Sequence, residues 1–228
     1  CKERGILPVI SSASEEFFNL EVLKGIGRFA RDKGVLITQH FAETPWRMKA
    51  IKDNFSSTPV RLLYESGIFN LNPIIGSHSV YADEDEIAML AKTPFRVVNT
   101  PLCEMKIGDG IAPIPGYLKA GIPVGLGTDG ALWNNSNDIF REVKCMILLH
   151  SLNSGVRAIS ARQALEMATL NGARVWGLEN EIGSIKEGKS ADFILVSTEE
   201  PHMQPIRIDH YNNVLSMLAF CATGHDVD

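Results

Sequence analysis

Five short apolar runs, each followed by a stretch with helical spacing, restrict the fold of this chain more than any other feature. Ile6 to Ile10, Val35 to His40, Pro73 to His78, Phe95 to Asn99 and Val124 to Asp129 read as strands. Between them, Glu15 to Ala30 repeats apolar residues at helical spacing, and Gly34 supplies its stop. Pro45 to Lys52, resumed by Thr58 to Ser66, then Asp83 to Lys92 and Ile114 to Ala120 read as further helices, and Asp138 to Leu152 as a long one. Alternation at this spacing predicts parallel β-α units and an α/β fold, either a doubly wound sheet or part of a β/α barrel. No G-x-G-x-x-G follows the first strand, so dinucleotide binding has no support.

Ionisable residues fall at the ends of these runs. His40, His78 and Asp129 each lie at or just beyond the C-terminal end of an expected strand, the face on which β/α barrels build their chemistry. In Gln39-His-Phe-Ala-Glu-Thr44, an imidazole that can bind a metal stands three residues from a carboxylate that can handle protons. Each motif also has a local structural explanation. Taken alone, His40 reads as a partly buried imidazole, Glu43 as a solvated carboxylate, His78 as a core imidazole satisfied by a backbone carbonyl, and Asp129 as the cap of the following helix or turn. The combination carries more weight, since separate accidents would have to put His, His and Asp on three strand ends.

Ser160 to Arg174 reads as one more helix. Beyond it, Glu181 to Ser197 sets turn residues between two apolar runs and suggests a short β-region. The net charge of −5 gives no reason to expect nucleic acid or an anionic membrane as partner. No apolar run reaches the roughly 18 residues of a membrane span. The four cysteines are widely spaced and form no C-x-x-C, which argues against a disulfide framework or a zinc knuckle and makes a reducing cytoplasm the expected location.

His40-Phe-Ala-Glu43, Gly76-Ser-His78, Gly108-Asp-Gly-Ile-Ala-Pro-Ile-Pro115, and Leu126-Gly-Thr-Asp-Gly130 with Asn134-Asn135 together resemble one branch of the amidohydrolase superfamily. That branch holds the methylthioadenosine/S-adenosylhomocysteine deaminases and triazine chlorohydrolases. Ala168-Thr-Leu-Asn-Gly-Ala173 and Gly183-Ser-Ile-Lys-Glu-Gly-Lys-Ser-Ala-Asp192 resemble its C-terminal end. The resemblance implies a (β/α)8 TIM-type barrel, here strands four to eight within residues 1–178, with residues 179–228 part of a small flanking β-sandwich-like domain.

It also implies roles. His40 would be a metal ligand on the fifth strand, and Asp129 a ligand and proton acceptor on the eighth. His78, on the sixth, would be an acid or hydrogen-bond donor, and Glu43 would contact a substrate ring nitrogen and relay protons. The implied cofactor is one divalent metal, zinc with iron as the alternative, and no organic cofactor. The implied reaction is hydrolytic deamination of an aminated heterocycle, a purine nucleoside such as methylthioadenosine or S-adenosylhomocysteine. Guanine deamination and triazine amino- or chlorohydrolysis are the enzymatic alternatives, and homo-oligomers are common in the family.

The family also carries a His-x-His pair on its first strand. The six histidines here, at 40, 78, 150, 202, 210 and 225, include none two apart. The strand count therefore expects that pair upstream of Cys1, and weak metal binding by this stretch alone. A non-catalytic relative or fragment is the rival from another class. Where relatives read Asn-Pro-x-Ser-Asn-x-Lys, this chain reads Asn99-Thr-Pro-Leu-Cys-Glu-Met-Lys106. Cys103 lacks a local base motif and is given no catalytic role. Trp133 is expected to pack at the start of the last barrel helix, and His150 to interact with helix C-terminal carbonyls. Asp83 to Glu86 is expected to form a solvated first turn.

Overall fold

The computed structural model describes residues 6–12, 14 and 19–228. The chain opens with β1 (Val9–Ser11), α1 (Leu20–Lys33), β2 (Leu36–Phe41), α2 (Pro45–Phe55) and α3 (Pro59–Glu65). It continues through β3 (Ile74–His78), α4 (Glu84–Leu90), β4 (Arg96–Asn99), α5 (Pro101–Ile107), α6 (Ile114–Lys119) and β5 (Val124–Leu126). Five helices complete it: α7 (Ala131–Asn134), α8 (Ile139–Ser154), α9 (Ala161–Met167), α10 (Leu170–Trp176) and α11 (Val214–Phe220). The strands form one sheet in chain order, and β1–β2, β2–β3 and β3–β4 pair in parallel. This is the α/β alternation that the apolar runs predict, as in consecutive units of a β/α barrel.

Local chemistry sets the boundaries. Asn19 accepts from Val22 N at 2.8 Å to start α1, and Gly34, in the left-handed region, returns its N–H to the carbonyls of Ala30 and Arg31. Thr44 and Thr58 cap α2 and α3, and in both the next residue is a proline, preset for the first turn. Asp83 and Glu86 form a reciprocal capping box on α4. Glu86 is not solvated, as the acidic run suggests, but buried, where it also accepts from Thr58 Oγ1 and lies 3.5 Å from Arg61 Nε.

Two compact units result. The first comprises residues 1–99 and 108–124, and the second residues 100–107 and 125–228. Ile37, Phe41, Ile51, Leu63, Ile74, Ile75, Phe95 and Tyr117 are fully buried in the first. Val143, Met146, Ala164, Met167 and Val175 are fully buried in the second. Among the described residues, no helix is long and apolar enough to cross a membrane.

Several expectations shift. The first strand lies at Val9–Ser11 rather than Ile6 to Ile10, and Glu15 to Phe18 of the first expected helix lie outside the described residues. The helix expected over Ser160 to Arg174 breaks at Thr169 (φ −131°, ψ −98°) into α9 and α10. Packing accounts for the break: Gly183 approaches so closely that a Cβ there would stand 3.1 Å from the Thr169 carbonyl and 3.0 Å from Leu170 Cα. No strand forms over Glu181 to Ser197. Lys189 Nζ instead donates to the Ile182 carbonyl (3.1 Å) and Ser184 Oγ (2.7 Å), gathering the segment into a knot of turns, and β-structure is limited to a bridge between Val196 and Val227.

Candidate active site and metal centre

The first unit brings three of the four expected site residues together. His40 is the penultimate residue of β2, His78 the last residue of β3, and Glu43 lies in the loop after β2. In the β2–β3 register His40 faces Ser77 and Phe41 faces His78, so adjacent parallel strands deliver both imidazoles to one edge. The rings stack with centroids 5.2 Å apart. His78 Nε2 lies 3.2 Å from His40 Nδ1, and His40 Nδ1 lies 3.1 Å from Glu43 Oε2. Glu43 Oε1 stands 3.5 Å from His78 Nε2.

The backbone here is strained and held. Ala42, His78 and Ser79 all adopt positive φ (45°, 71° and 54°), which non-glycine residues rarely do outside sites where the surroundings impose it. Their neighbours hold them. Ser79 N donates to the Phe41 carbonyl (3.0 Å), Val80 N and Tyr81 N share the Ala42 carbonyl, and Asn99 Nδ2 donates to the His78 carbonyl (3.3 Å). Tyr117 Oη donates to the Ser79 carbonyl at 2.9 Å. The Gly108-Asp-Gly110 motif belongs to this support, since the buried Asp109 accepts through its carbonyl from the Tyr81 hydroxyl.

The donor set suits a cation. One ligand atom from each of His40, Glu43 and His78 can be chosen so that all lie within 4.8 Å of one another, and two imidazoles with a carboxylate are ligands that zinc accepts. Two ring nitrogens and a carboxylate converging this closely need a proton or a metal ion among them to be stable. Glu43 and His78 are buried while the His40 side chain is about half exposed, which leaves one open approach. Arg47, one turn into α2, pairs with Glu43, and its guanidinium lies 5.2 Å from the Trp46 ring centroid.

Asp129 belongs to the second unit. It stands three residues beyond β5 at φ +59°, where Gly130 N donates to Oδ1 and Cys103 Sγ donates to Oδ2 at 3.0 Å. Asn134 Nδ2 holds the preceding loop through the Thr128 carbonyl (2.7 Å) and also donates to Glu142, which accepts from Leu102 N at 3.1 Å. Glu142 is fully buried, and burial first, then nearby Glu104, raises its pKa against the opposing hydrogen bonds from Asn134 and Leu102. Cys103, given no role from sequence, thus touches an expected site residue; its place in the altered Asn-Pro-x-Ser-Asn-x-Lys motif was the available signal.

Other expectations change. Trp133 is half exposed rather than packed, because α7 is a four-residue turn that buries none of its side chains. His150 is not a cation favoured by helix carbonyls: it is buried, and burial lowers its pKa to about 4. His202 has a structural use, lying 3.1 Å from Asp226, which also accepts from Thr223. His78 and Asn99 each end an apolar strand; His78 is legible from sequence by its chemistry, and Asn99, which secures the His78 loop, is not.

Known proteins bear on this arrangement in sequence and in fold. A methylthioadenosine/S-adenosylhomocysteine deaminase of Moorella thermoacetica is 39% identical over 91% of this chain and 47% of its own length. The structure of a zinc-bound adenosine deaminase from Xanthomonas campestris superposes with a TM-score of 0.88 at 27% identity, covering 96% of this chain and 49% of that one. A zinc-complexed atrazine chlorohydrolase from Arthrobacter aurescens TC1 gives a TM-score of 0.78 at 25% identity, over 90% and 44%. The chain thus spans about half the length of the curated relatives it matches. The sequence profile of the amidohydrolase family matches residues 10–225, and by that extent the chain belongs to this family.

Proposed function

We propose that this chain carries part of the catalytic site of a metal-dependent hydrolytic deaminase acting on an aminated heterocycle, a purine nucleoside such as methylthioadenosine or S-adenosylhomocysteine. The observation that carries the reading is the convergence of His40, Glu43 and His78 at the ends of β2 and β3. The identity to a deaminase over 91% of the chain supports the substrate class. We assign His40 and Asp129 as metal ligands, with zinc as the ion, and a cytoplasmic location, consistent with Cys103, Cys145 and Cys221 carrying thiols rather than disulfides. Residues 179–228, whose β-structure is limited to the Val196–Val227 bridge, are assigned as part of a flanking β-sandwich-like domain.

A divalent ion held by His40 and Asp129 would supply the acidity of the attacking water. The protein's own groups do the rest. Asp129 would take a proton from the water that adds to the amino-bearing ring carbon. Glu43, aligned by Arg47, hydrogen-bonds a ring nitrogen and passes a proton toward the amine, which leaves as ammonia. His78, buried with its ring stacked on His40, donates to the negative charge that develops at the new oxygen.

Ammonia release from methylthioadenosine, S-adenosylhomocysteine, adenosine, guanine and a triazine, measured on the protein from its complete reading frame, tests this. Release is expected from the adenine nucleosides, lost on chelation and restored by zinc. Asp129→Ala should lower turnover at least about a thousandfold. No ammonia from any aminopurine sinks the proposal, and turnover of guanine or the triazine alone moves the assignment to those reactions.

A further inference from the structure

We infer that Asp129 is aligned by a clamp, in which the buried Cys103 thiol holds the carboxylate and the Asn134 amide holds its loop. The inference rests on the proposed role of Asp129 as proton acceptor. All the parts lie in the second unit. Asp129 Oδ2 accepts from Cys103 Sγ at 3.0 Å, and Cys103 is fully buried on α5. Asp129 Oδ1 accepts from Gly130 N, so both carboxylate oxygens have a donor and the plane of the group is fixed. The Thr128 carbonyl, one peptide earlier, accepts from Asn134 Nδ2 at 2.7 Å. Asn134 is anchored in turn on Glu142 of α8, which accepts from Leu102 N next to Cys103. Residues of α5, α7 and α8 therefore converge on two successive residues, the second of which adopts φ +59°.

The chemistry of the donor matters. A carboxylate that must take a proton works only when oriented toward it, and small misplacement of a reacting group is costly. A thiol is a neutral, weak donor, so it orients the carboxylate without adding a charge beside it. Cys103 and Asn134 are positioning residues that act through Asp129. The competing account of Cys103, a small apolar filler, makes a different prediction for substitution by serine.

The test uses the protein from its complete reading frame, with kcat and KM for deamination and hydrogen exchange over residues 128–135. Cys103→Ala should lower kcat about tenfold with KM within about twofold, and should speed exchange in that segment. Cys103→Ser keeps a donor of similar size and should return kcat to within about threefold, with exchange as in the parent. Full kcat in Cys103→Ala overturns the clamp, and so does a serine variant as impaired as the alanine one. Asp129→Ala separates the two ideas. If it turns over at the parental rate, the role of Asp129 fails and the clamp loses its purpose; if it is inactive while Cys103→Ala is unaffected, only the clamp fails.

Discussion

A buried imidazole in α8 gives this chain a titration with a definite sign. His150 is almost wholly inaccessible and its Nδ1 has no hydrogen-bond partner, so burial disfavours the charged ring and lowers its pKa to about 4. An unfolded histidine titrates near 6.5. The folded state therefore binds the proton less readily than the unfolded chain does. The stability owed to neutral His150 is fully present above about 6.5 and is lost as pH falls through the interval down to about 4. Urea midpoints between pH 7 and 4 should fall more steeply for the parent than for His150→Leu, by up to the slope of one proton, and parallel profiles would refute this. Glu142 has the opposite sign. Its raised pKa makes its neutral form stabilising below about 4.5, a contribution lost as pH rises through the folded value. These shifts come from packing across the fold, which the sequence around His150 and Glu142 does not display. His40, Glu43 and His78 could be picked out for the contrary reason: each ends or follows an apolar strand, where an ionisable group stands out. It was their combination with Asp129 on the strand ends, rather than any one of them, that pointed to a site. Cys103 could not be picked out, because its partner Asp129 is 26 residues away and a buried cysteine is ordinary.

Among the elements, β3 shows how tightly the strand that carries His78 is fitted. Gly76 lies two residues before that histidine, paired with Gln39 on β2 and Val97 on β4. A Cβ there would stand 2.5 Å from Phe95 Cζ and 2.9 Å from Ser79 Oγ. Phe95 cannot swing aside cheaply, because its ring is buried between Phe41 (centroids 4.9 Å) and Phe69 (5.7 Å). Gly76→Ala should cost about 1–3 kcal/mol, read as a lower urea midpoint at unchanged slope, whereas Gly25→Ala, with nothing within 4 Å of the added methyl, should be neutral or stabilising. Equal midpoints for Gly76→Ala and the parent would refute the close approach. The strands and the early helices were readable because their apolar spacing and caps are local: Asn19, Thr44, Thr58 and Asp83 each announce a helix within three residues. The break at Thr169 and the turns over Glu181 to Ser197 were not. They depend on Gly183 and Lys189 meeting atoms elsewhere along the chain, which overrides what the local pattern favours.

For the molecule as a whole, the surface left open by this stretch is more informative than its core. Phe193, Ile194 and Leu195 are 62%, 58% and 62% exposed although they form a continuous apolar run. Single exposed apolar residues are ordinary, but a contiguous run with strand composition is an invitation to pair. The run contains no charge and its neighbours leave it bare, while Ile6, Leu7 and Val9 are exposed at the start of the sheet, where, among the described residues, β1 is paired only with β2. Exposed apolar runs of this kind are surfaces on which a second copy of the chain can pack. Produced alone, this 228-residue chain should therefore self-associate and bind a hydrophobic dye. Ile194→Lys should reduce the association at little cost in stability, since a lysine breaks the apolar run at a position that packs against little. Sedimentation velocity across a concentration series measures it. A parent chain that stays monomeric at tens of micromolar, about the range in which such surfaces aggregate, would mean that the run is tolerated as ordinary surface and that it does not mark a covered face.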